Sequence, residues 1–273
     1  MKKRVISTIV MVAILVPILL WGGYPFTFLL MFIAGLSLNE LFNIKATKKN
    51  IPTPIKILGF IMLSLFILFC SLKSSLILSL DFRYLAAFGV VFLLPLIIYQ
   101  EQKTYTINDA SFVVFWVLFL GTFFGLFAIM RNIRLAVIIY LVNVAFANDT
   151  FAHMGGSLIG KGVNKSKNKI MAHVSPNKTL EGAIYGSFMA TVIGMAFYMV
   201  VVDQSAPLYL VGGMTFLLTI CGILGDLIFS SVKRYYKKKD YSSLIPGHGG
   251  VLDRIDGLIF VGLVYVIVVT TLF

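Results

Sequence analysis

Nine long apolar runs divide this chain, at about 5–22, 25–44, 57–80, 83–100, 111–130, 134–152, 180–202, 207–231 and 256–273. Each is close to the roughly 20 residues that an α-helix needs to cross the hydrocarbon core of a bilayer. In lipid, every backbone N–H and C=O must find its partner within the segment, and that selects helices. Only 12% of the residues are charged, against roughly 25% in a soluble domain, so too little polar surface is left to face water. The sequence therefore predicts an all-α, polytopic membrane protein with about nine transmembrane helices. The third run is the least regular, because Lys73 and nearby serines interrupt it.

The basic residues orient these runs. With the N-terminus in the cytoplasm and all nine runs crossing, 19 of the 23 lysines and arginines fall on the cytoplasmic side. Only Lys73, Arg83, Arg131 and Arg134 fall near the other face. This is the asymmetry that the positive-inside rule describes. A net charge of +12 in a soluble protein would suggest nucleic acid. Set between apolar runs, it points instead to anionic lipid headgroups and phosphate ligands, with no nucleic acid. The basic start at Lys2, Lys3 and Arg4 has the look of a signal peptide, but no small-x-small cleavage site follows, so a retained first helix is expected. Cys70 and Cys221 lie inside apolar runs and read as small hydrophobes without a disulfide. Residues 1–133 have short connections and read as an N-terminal transmembrane scaffold. The polar loops fall within 134–273, which is expected to be the catalytic transmembrane region.

The stretch from Gly225 to Asp256 carries the densest chemistry. Asp226 lies in an otherwise apolar helix, seven residues before Lys233. At 1.5 Å of rise per residue that is about 10 Å inside the charged boundary. A carboxylate there is costly unless it is paired or binds a metal. Asp253 and Asp256 are three apart and share a helix face. Paired carboxylates suit Mg²⁺, a hard ion that keeps waters for phosphates to replace. Gly247, Gly249 and Gly250 allow a tight turn whose N–H groups can form an anion nest, and His248 in that turn can meet a phosphate. Lys233 and Arg234 can neutralise phosphate charge. Plainer roles exist for each. Asp253 and Asp256 can favour a helix N-terminus, with Arg254 reaching to headgroups. Asp226 can be half of a buried ion pair, His248 a surface turn residue, and Lys237 to Lys239 a lipid-facing patch.

A second polar loop follows the sixth run. Asn148 and Asp149 end that run, so Asp149 repeats the pattern of Asp226. Further on come Gly160-Lys161-Gly162 and then Ser175-Pro-Asn-Lys178-Thr179-Leu-Glu181-Gly182. Thr179 or Ser175 can cap the next helix, with Glu181 in its first turn. A helix N-terminus bearing Lys178 is also a ready anion site. Gly121-x-x-x-Gly125 and Gly182-x-x-x-Gly186 are expected to serve helix packing. His153 and His173 do not form a metal-ligand pair, and no Ser/His/Asp or Cys/His constellation is present.

These residues resemble the phosphatidate cytidylyltransferases, also called CDP-diacylglycerol synthases. The run Ser230-Ser-Val-Lys-Arg, four residues, then Lys239-Asp240-Tyr-Ser-Ser-Leu-Ile-Pro-Gly-His248-Gly-Gly-Val-Leu-Asp253-Arg-Ile-Asp256 fits that family's signature throughout. The resemblance is sharp over about 148–256. It implies nucleotidyl transfer in phospholipid biosynthesis: CTP and phosphatidic acid give CDP-diacylglycerol and pyrophosphate. It implies Mg²⁺ at Asp226 and Asp253, with Asp149 and Asp256 beside them, and Lys233 and His248 in the catalytic set. Lys178, Arg234 and Arg254 are implied as phosphate contacts, and Asn148, Ser175, Glu181, Gly249 and Gly250 as further substrate-binding residues. K⁺ as a second cation, a homodimer, and a multi-pass location in a bacterial inner or plasma membrane with a cytoplasmic site are implied as well. There are departures: Phe229 where the family usually has Glu, Leu180 for Trp, Asn177 for Lys, and His153 for an aromatic residue. Another CTP-using membrane lipid kinase would instead transfer a terminal phosphate and release no pyrophosphate. A cation-coupled transporter would need polar residues at both depths, whereas the acids here cluster at one face.

Overall fold

The computed structural model describes residues 2–72, 82–99, 104–158, 169–171, 173–175 and 178–272. Lys73, Lys103, Gly160-Lys161-Gly162 and Asn177 lie outside the described residues. Among the described residues the chain is helical, with no β-strand: α1 (Lys2–Trp21), α2 (Gly23–Ala46), α3 (Thr53–Ser71), α4 (Phe82–Leu93), α5 (Pro95–Tyr99), α6 (Ile107–Ile133), α7 (Leu135–Leu158), α8 (Leu180–Phe197), α9 (Leu208–Tyr235) and α10 (Leu252–Leu272). Every expected apolar run is helical over most of its described part. The fourth run is broken at Leu94, because a residue before proline is pushed out of the helical region. A π turn, Tyr198–Val202, extends α8. Among the described residues six helices are long and apolar enough to cross a membrane: α2, α3, α6, α7, α8 with its π turn, and α9.

The contacts group into two compact units. The first is Met1–Ile133 with Asp240–Asp253, and the second is Arg134–Lys239 with Arg254–Phe273. The loop that carries Gly247 to Asp253 thus belongs with the helices of the first half of the chain.

In the first unit α2, α3 and α6 pack together. Gly121 and Gly125 let α6 approach α3, where an added Cβ would lie 2.9 Å from the Phe66 ring and 2.8 Å from Cys70. The small-residue spacing therefore serves packing, as expected. Cys70 is buried and its sulfur is in no disulfide. Asp109 receives the Thr106 N–H at the start of α6 and pairs with Lys45 at 2.8 Å and Lys49 at 2.5 Å. Arg131, in the last turn of α6, donates to the carbonyls of Leu19 and Leu20 at 2.5 and 2.7 Å, which caps the end of α1.

In the second unit α7 and α8 form the closest pair. A Cβ on Gly186 would lie 2.7 Å from the Ala152 N and 2.8 Å from the Asn148 O, and one on Gly182 would lie 2.6 Å from the Ala152 O. Tyr140 Oη meets Thr215 Oγ1 at 2.8 Å in the buried middle of this unit. Past the π turn, Asp203 accepts from the Ser205 hydroxyl at 2.6 Å and the Ser205 N–H at 2.9 Å. These bonds hold its carboxyl below the ordinary range.

Candidate active site

The second unit holds a cavity of about 530 Å³, with charged and polar side chains set among apolar surface and built from one end of three helices. From the last turns of α7 come Asn148, Asp149, Ala152, His153 and Gly156, positions that share one helical face. From the head of α8 and the residues before it come Ser175, Lys178, Thr179 and Gly182, and from α9 come Ile223 and Asp226. Thr179 is the N-cap of α8 and accepts from the Gly182 N–H at 3.2 Å. Glu181 sits in the first turn behind it, where an acid suits the helix dipole. The absence of side chains at Gly182 and Gly186 brings α7 against α8, so Lys178 faces Asp149 and Asp226 across a narrow space.

Charge is concentrated in that space. Lys178 Nζ forms an ion pair with Asp226 Oδ2, both side chains being about one-quarter exposed. The hydroxyl of Ser230, one turn along α9, donates to Asp226 Oδ1 at 3.2 Å. Asp149 and Asp256 both lie within electrostatic reach of Asp226, and Lys178 and Arg254 lie within electrostatic reach of Asp149. Lys233 is buried in the last turn of α9 and within electrostatic reach of Asp256. Of the plainer roles open to Asp226, the ion pair is present, part-buried instead of fully buried, and its partner is Lys178. Arg234 is exposed and donates to the carbonyls of Val174 at 3.2 Å and Lys238 at 3.0 Å.

Asn148 adds an unmet demand. Its Nδ2 donates to the Thr219 carbonyl at 3.2 Å, which fixes which way the amide points. Among the described residues its Oδ1 is then left buried with no hydrogen-bond partner. A buried orphan acceptor costs on the order of 1–3 kcal/mol, which a ligand donor or a cation would recover. Among the described residues no three His, Cys, Asp or Glu side chains converge as a metal cluster. Mg²⁺, however, is commonly held by one or two carboxylates together with substrate phosphates. The oxygens of Asp149, Asp226 and Asn148 fit such an ion in kind, and the Lys178 ammonium shows that this space accepts positive charge.

The first unit contains the Asp240–Asp253 loop, and carboxylates close it at both ends. Asp253 Oδ2 accepts from the N–H groups of Tyr241 and Gly250, both at 2.9 Å. Glu40, buried in α2 at 2% exposure, accepts from the Ser242 hydroxyl at 2.6 Å and from the N–H groups of Val251 at 2.8 Å and Leu252 at 2.9 Å. Between these ties the chain reverses at Gly247 and Gly249, with φ of 80° and 88°, where the Ile245 and Gly249 N–H groups bond across the turn. His248 is tied to α1, with Ser7 Oγ 2.9 Å from Nδ1 and Thr8 Oγ1 3.4 Å from Nε2.

The anion nest expected at Gly247–Gly250 is therefore filled by the protein itself. The N–H groups of His248 and Gly249 go to Ile245 O, and those of Gly250, Val251 and Leu252 go to Asp253 and Glu40. The helix-N-terminus role of Asp253 is present. Asp253 and Asp226 fall in different units, and Asp256 and Arg254 stand with Asp226 in the second. Glu40 was not foreseen, although the cost of a carboxylate in an apolar helix, which singled out Asp226, applies to it equally. Phe229, where the resembled family carries Glu, is 1% exposed and meets Phe260 edge-on at 6.3 Å, so it packs α9 on α10.

A model of the cytidylyltransferase family matches residues 2–272. The chain is 30% identical over 268 residues to a phosphatidate cytidylyltransferase of Staphylococcus aureus strain COL, covering 96% of each. It is 30% identical over 265 residues to one of Bacillus subtilis strain 168, covering 96% of this chain and 94% of that one. It is 32% identical over 265 residues to one of Staphylococcus saprophyticus, covering 96% of each.

Proposed function

The chain belongs to the cytidylyltransferase family, and on that premise we propose that it transfers the cytidylyl group of CTP to phosphatidic acid, giving CDP-diacylglycerol and pyrophosphate. One observation carries the choice of site: the cavity in which Asp149, Asp226 and the unpartnered Asn148 Oδ1 face the Lys178 ammonium. A volume of about 530 Å³ falls within the usual range of about 300–1,000 Å³ for small-molecule sites.

In this reaction the phosphate of phosphatidic acid attacks the α-phosphorus of CTP. A new P–O bond forms there, the bond to the bridging oxygen breaks, and pyrophosphate leaves. The attacking phosphate monoester is already largely ionised at neutral pH, so no strong protein base is required. The task is positioning and charge neutralisation. Lys178 would leave Asp226 for a phosphate oxygen when substrate arrives. Lys233 and Arg254 would supply further positive charge, and Ser175 would bind at the rim. Asn148, Asp149 and Asp226 would hold Mg²⁺, with Asp256 next to them. The ion's part is to neutralise phosphate charge and fix the triphosphate. Asp253 and His248 are proposed as needed for turnover through the loop they hold. The cytoplasmic N-terminus and cytoplasmic cavity, with nine spans in all, are supported by the distribution of lysine and arginine. K⁺ and a homodimer enter through the resemblance alone.

The test uses purified protein in detergent–lipid micelles with labelled CTP, phosphatidic acid and Mg²⁺. A CDP-lipid and pyrophosphate in equal amounts are expected, with neither formed when phosphatidic acid is omitted. Release of CDP together with a newly phosphorylated lipid would mark the chain as a kinase and sink the proposal.

A further inference from the structure

We propose that Glu40 of α2 is a positioning residue for cytidylyl transfer, acting by clamping the Ser242–Leu252 loop and the first turn of α10. The proposal rests on the function proposed above, since it concerns the same reaction. Glu40 lies in the helical scaffold, far in sequence from every residue of the signature loop, and nothing in the loop's own sequence calls for it.

The geometry is that of a clamp. Glu40 Oε1 receives both the Ser242 hydroxyl at 2.6 Å and the Val251 N–H at 2.8 Å, and Oε2 receives the Leu252 N–H at 2.9 Å. One side chain thus ties the beginning of the loop to its end. Ser242 Oγ also accepts the Leu244 N–H at 3.2 Å, which carries the tie one residue pair further. The two backbone donors lie at the head of α10, where unsatisfied N–H groups and the helix dipole favour an anion. A carboxylate that is 2% exposed needs such donors to remain there. Gly250 is shaped to this arrangement: an added Cβ would lie 2.6 Å from Oε1 and 2.7 Å from Oε2.

What the clamp positions follows from the sequence. Asp253, Arg254 and Asp256 stand on the first two turns of α10, directly after the two clamped N–H groups. His248 and Gly249 stand in the loop between the clamped ends. A tilt or slip of the head of α10 would displace all of these groups together. Misplacement of about 1 Å in a catalytic group can cost on the order of 100-fold in rate, even where the altered residue touches no substrate.

The experiment compares Glu40→Gln, Ser242→Ala, Gly250→Ala and Asp109→Asn in the full-length chain, purified in detergent–lipid micelles. For each, kcat, KM for CTP, and thermal unfolding are measured. Glu40→Gln replaces one carboxylate oxygen with an NH₂ group that cannot accept from a backbone N–H. Its kcat is expected to fall about 10- to 100-fold with KM for CTP within about threefold of wild type. Ser242→Ala removes one tie and should lower kcat a few-fold in a folded protein, which keeps the proposal testable if Glu40→Gln fails to fold. Glu40→Gln combined with Gly250→Ala should be little worse than either alone, because both break the same contact. Asp109→Asn breaks a buried ion pair elsewhere in the first unit and should lower thermal stability while leaving kcat per folded molecule unchanged. A folded Glu40→Gln or Ser242→Ala protein with wild-type kcat would overturn the proposal, as would activity losses that only track unfolding in the manner of Asp109→Asn. A wild-type protein that makes no CDP-lipid would overturn the parent function instead, and the clamp's catalytic role with it.

Discussion

Two acids, Glu40 in the first unit and Asp226 in the second, sit inside apolar helices and are answered in opposite ways. Glu40 is held mainly by backbone N–H groups at the head of α10, with one serine hydroxyl added. Among the described residues Asp226 is held by side chains, the Lys178 ammonium and the Ser230 hydroxyl. Backbone donors at a helix end cannot turn away without unwinding that end. A lysine on a four-carbon stem can exchange a carboxylate for a phosphate by rotating a few bonds. The first arrangement suits a part that must not move, and the second suits a part that must trade partners during each turnover. A place in an apolar helix alone would have grouped the two acids together; what separates them is the mobility of the groups that answer them, and Asp226 is also the more exposed of the two.

The largest expected effect tests the mobile side of this contrast. Asp226→Asn keeps the shape of the side chain and removes its charge. It should lower kcat by about 100- to 1,000-fold, the range seen when one preorganised electrostatic group is lost. Thermal unfolding should change little, because Asn still accepts from Ser230. A folded Asp226→Asn protein with wild-type turnover would leave Asp226 as an ordinary ion pair and erase the distinction from Glu40.

Next comes the frame around the cavity. Gly186 lies where α8 presses on α7, and an added Cβ would stand 2.7 Å from the Ala152 N. Gly186→Val should force the helices apart at a cost of about 1–3 kcal/mol, read as a lower unfolding temperature in detergent. Activity should fall with it, since α7 carries Asn148 and Asp149. A smaller effect is expected from Asp149→Asn, which should raise the Mg²⁺ concentration for half-maximal activity by about tenfold. Chelation of the metal should stop both proteins. An unchanged Mg²⁺ requirement would remove Asp149 from the metal's surroundings and leave Asp226 and Asn148 to hold it.

Much of the fold was legible because its signals are local. Apolar runs and paired glycines four apart are such signals, and the helices follow them, whereas the break before Pro95 in the run at 83–100 was not foreseen. Gly121, Gly125, Gly182 and Gly186 all lie at close helix contacts. The charged residues around Asp226 were legible for the same reason, because one acid in an apolar helix demands a partner wherever the helix goes. The identity of that partner was not. Lys178 is 48 positions away, and only packing of α8 between α7 and α9 brings it to Asp226. The loop was the least legible part. Its glycines suggested a nest of free N–H groups, but those groups are taken by the Ile245 carbonyl and Asp253, and the next two by Glu40, an acid about 210 residues upstream. A nest built to receive an anion looks the same in sequence whether a substrate fills it or a distant carboxylate does. Position 229 shows the converse. Its side chain packs α9 on α10, so a phenylalanine can replace the family's acid without touching the cavity lining.

The smallest expected effect concerns Thr179, which joins the two kinds of support in one residue. Its hydroxyl accepts the Gly182 N–H and so caps α8, and its side chain also lines the cavity beside Lys178. If the cap is its main work, Thr179→Ala should cost about 1 kcal/mol in stability. Thr179→Ser, which keeps the hydroxyl, should restore most of it. Because the cap fixes the first turn of α8, Lys178 just before it would also lose some order, and KM for CTP should rise by no more than a few-fold. A loss of turnover in Thr179→Ala as large as that in Asp226→Asn would mean that the hydroxyl meets the substrate directly. The line between fixed and exchangeable support would then run through α8 rather than between α8 and Lys178.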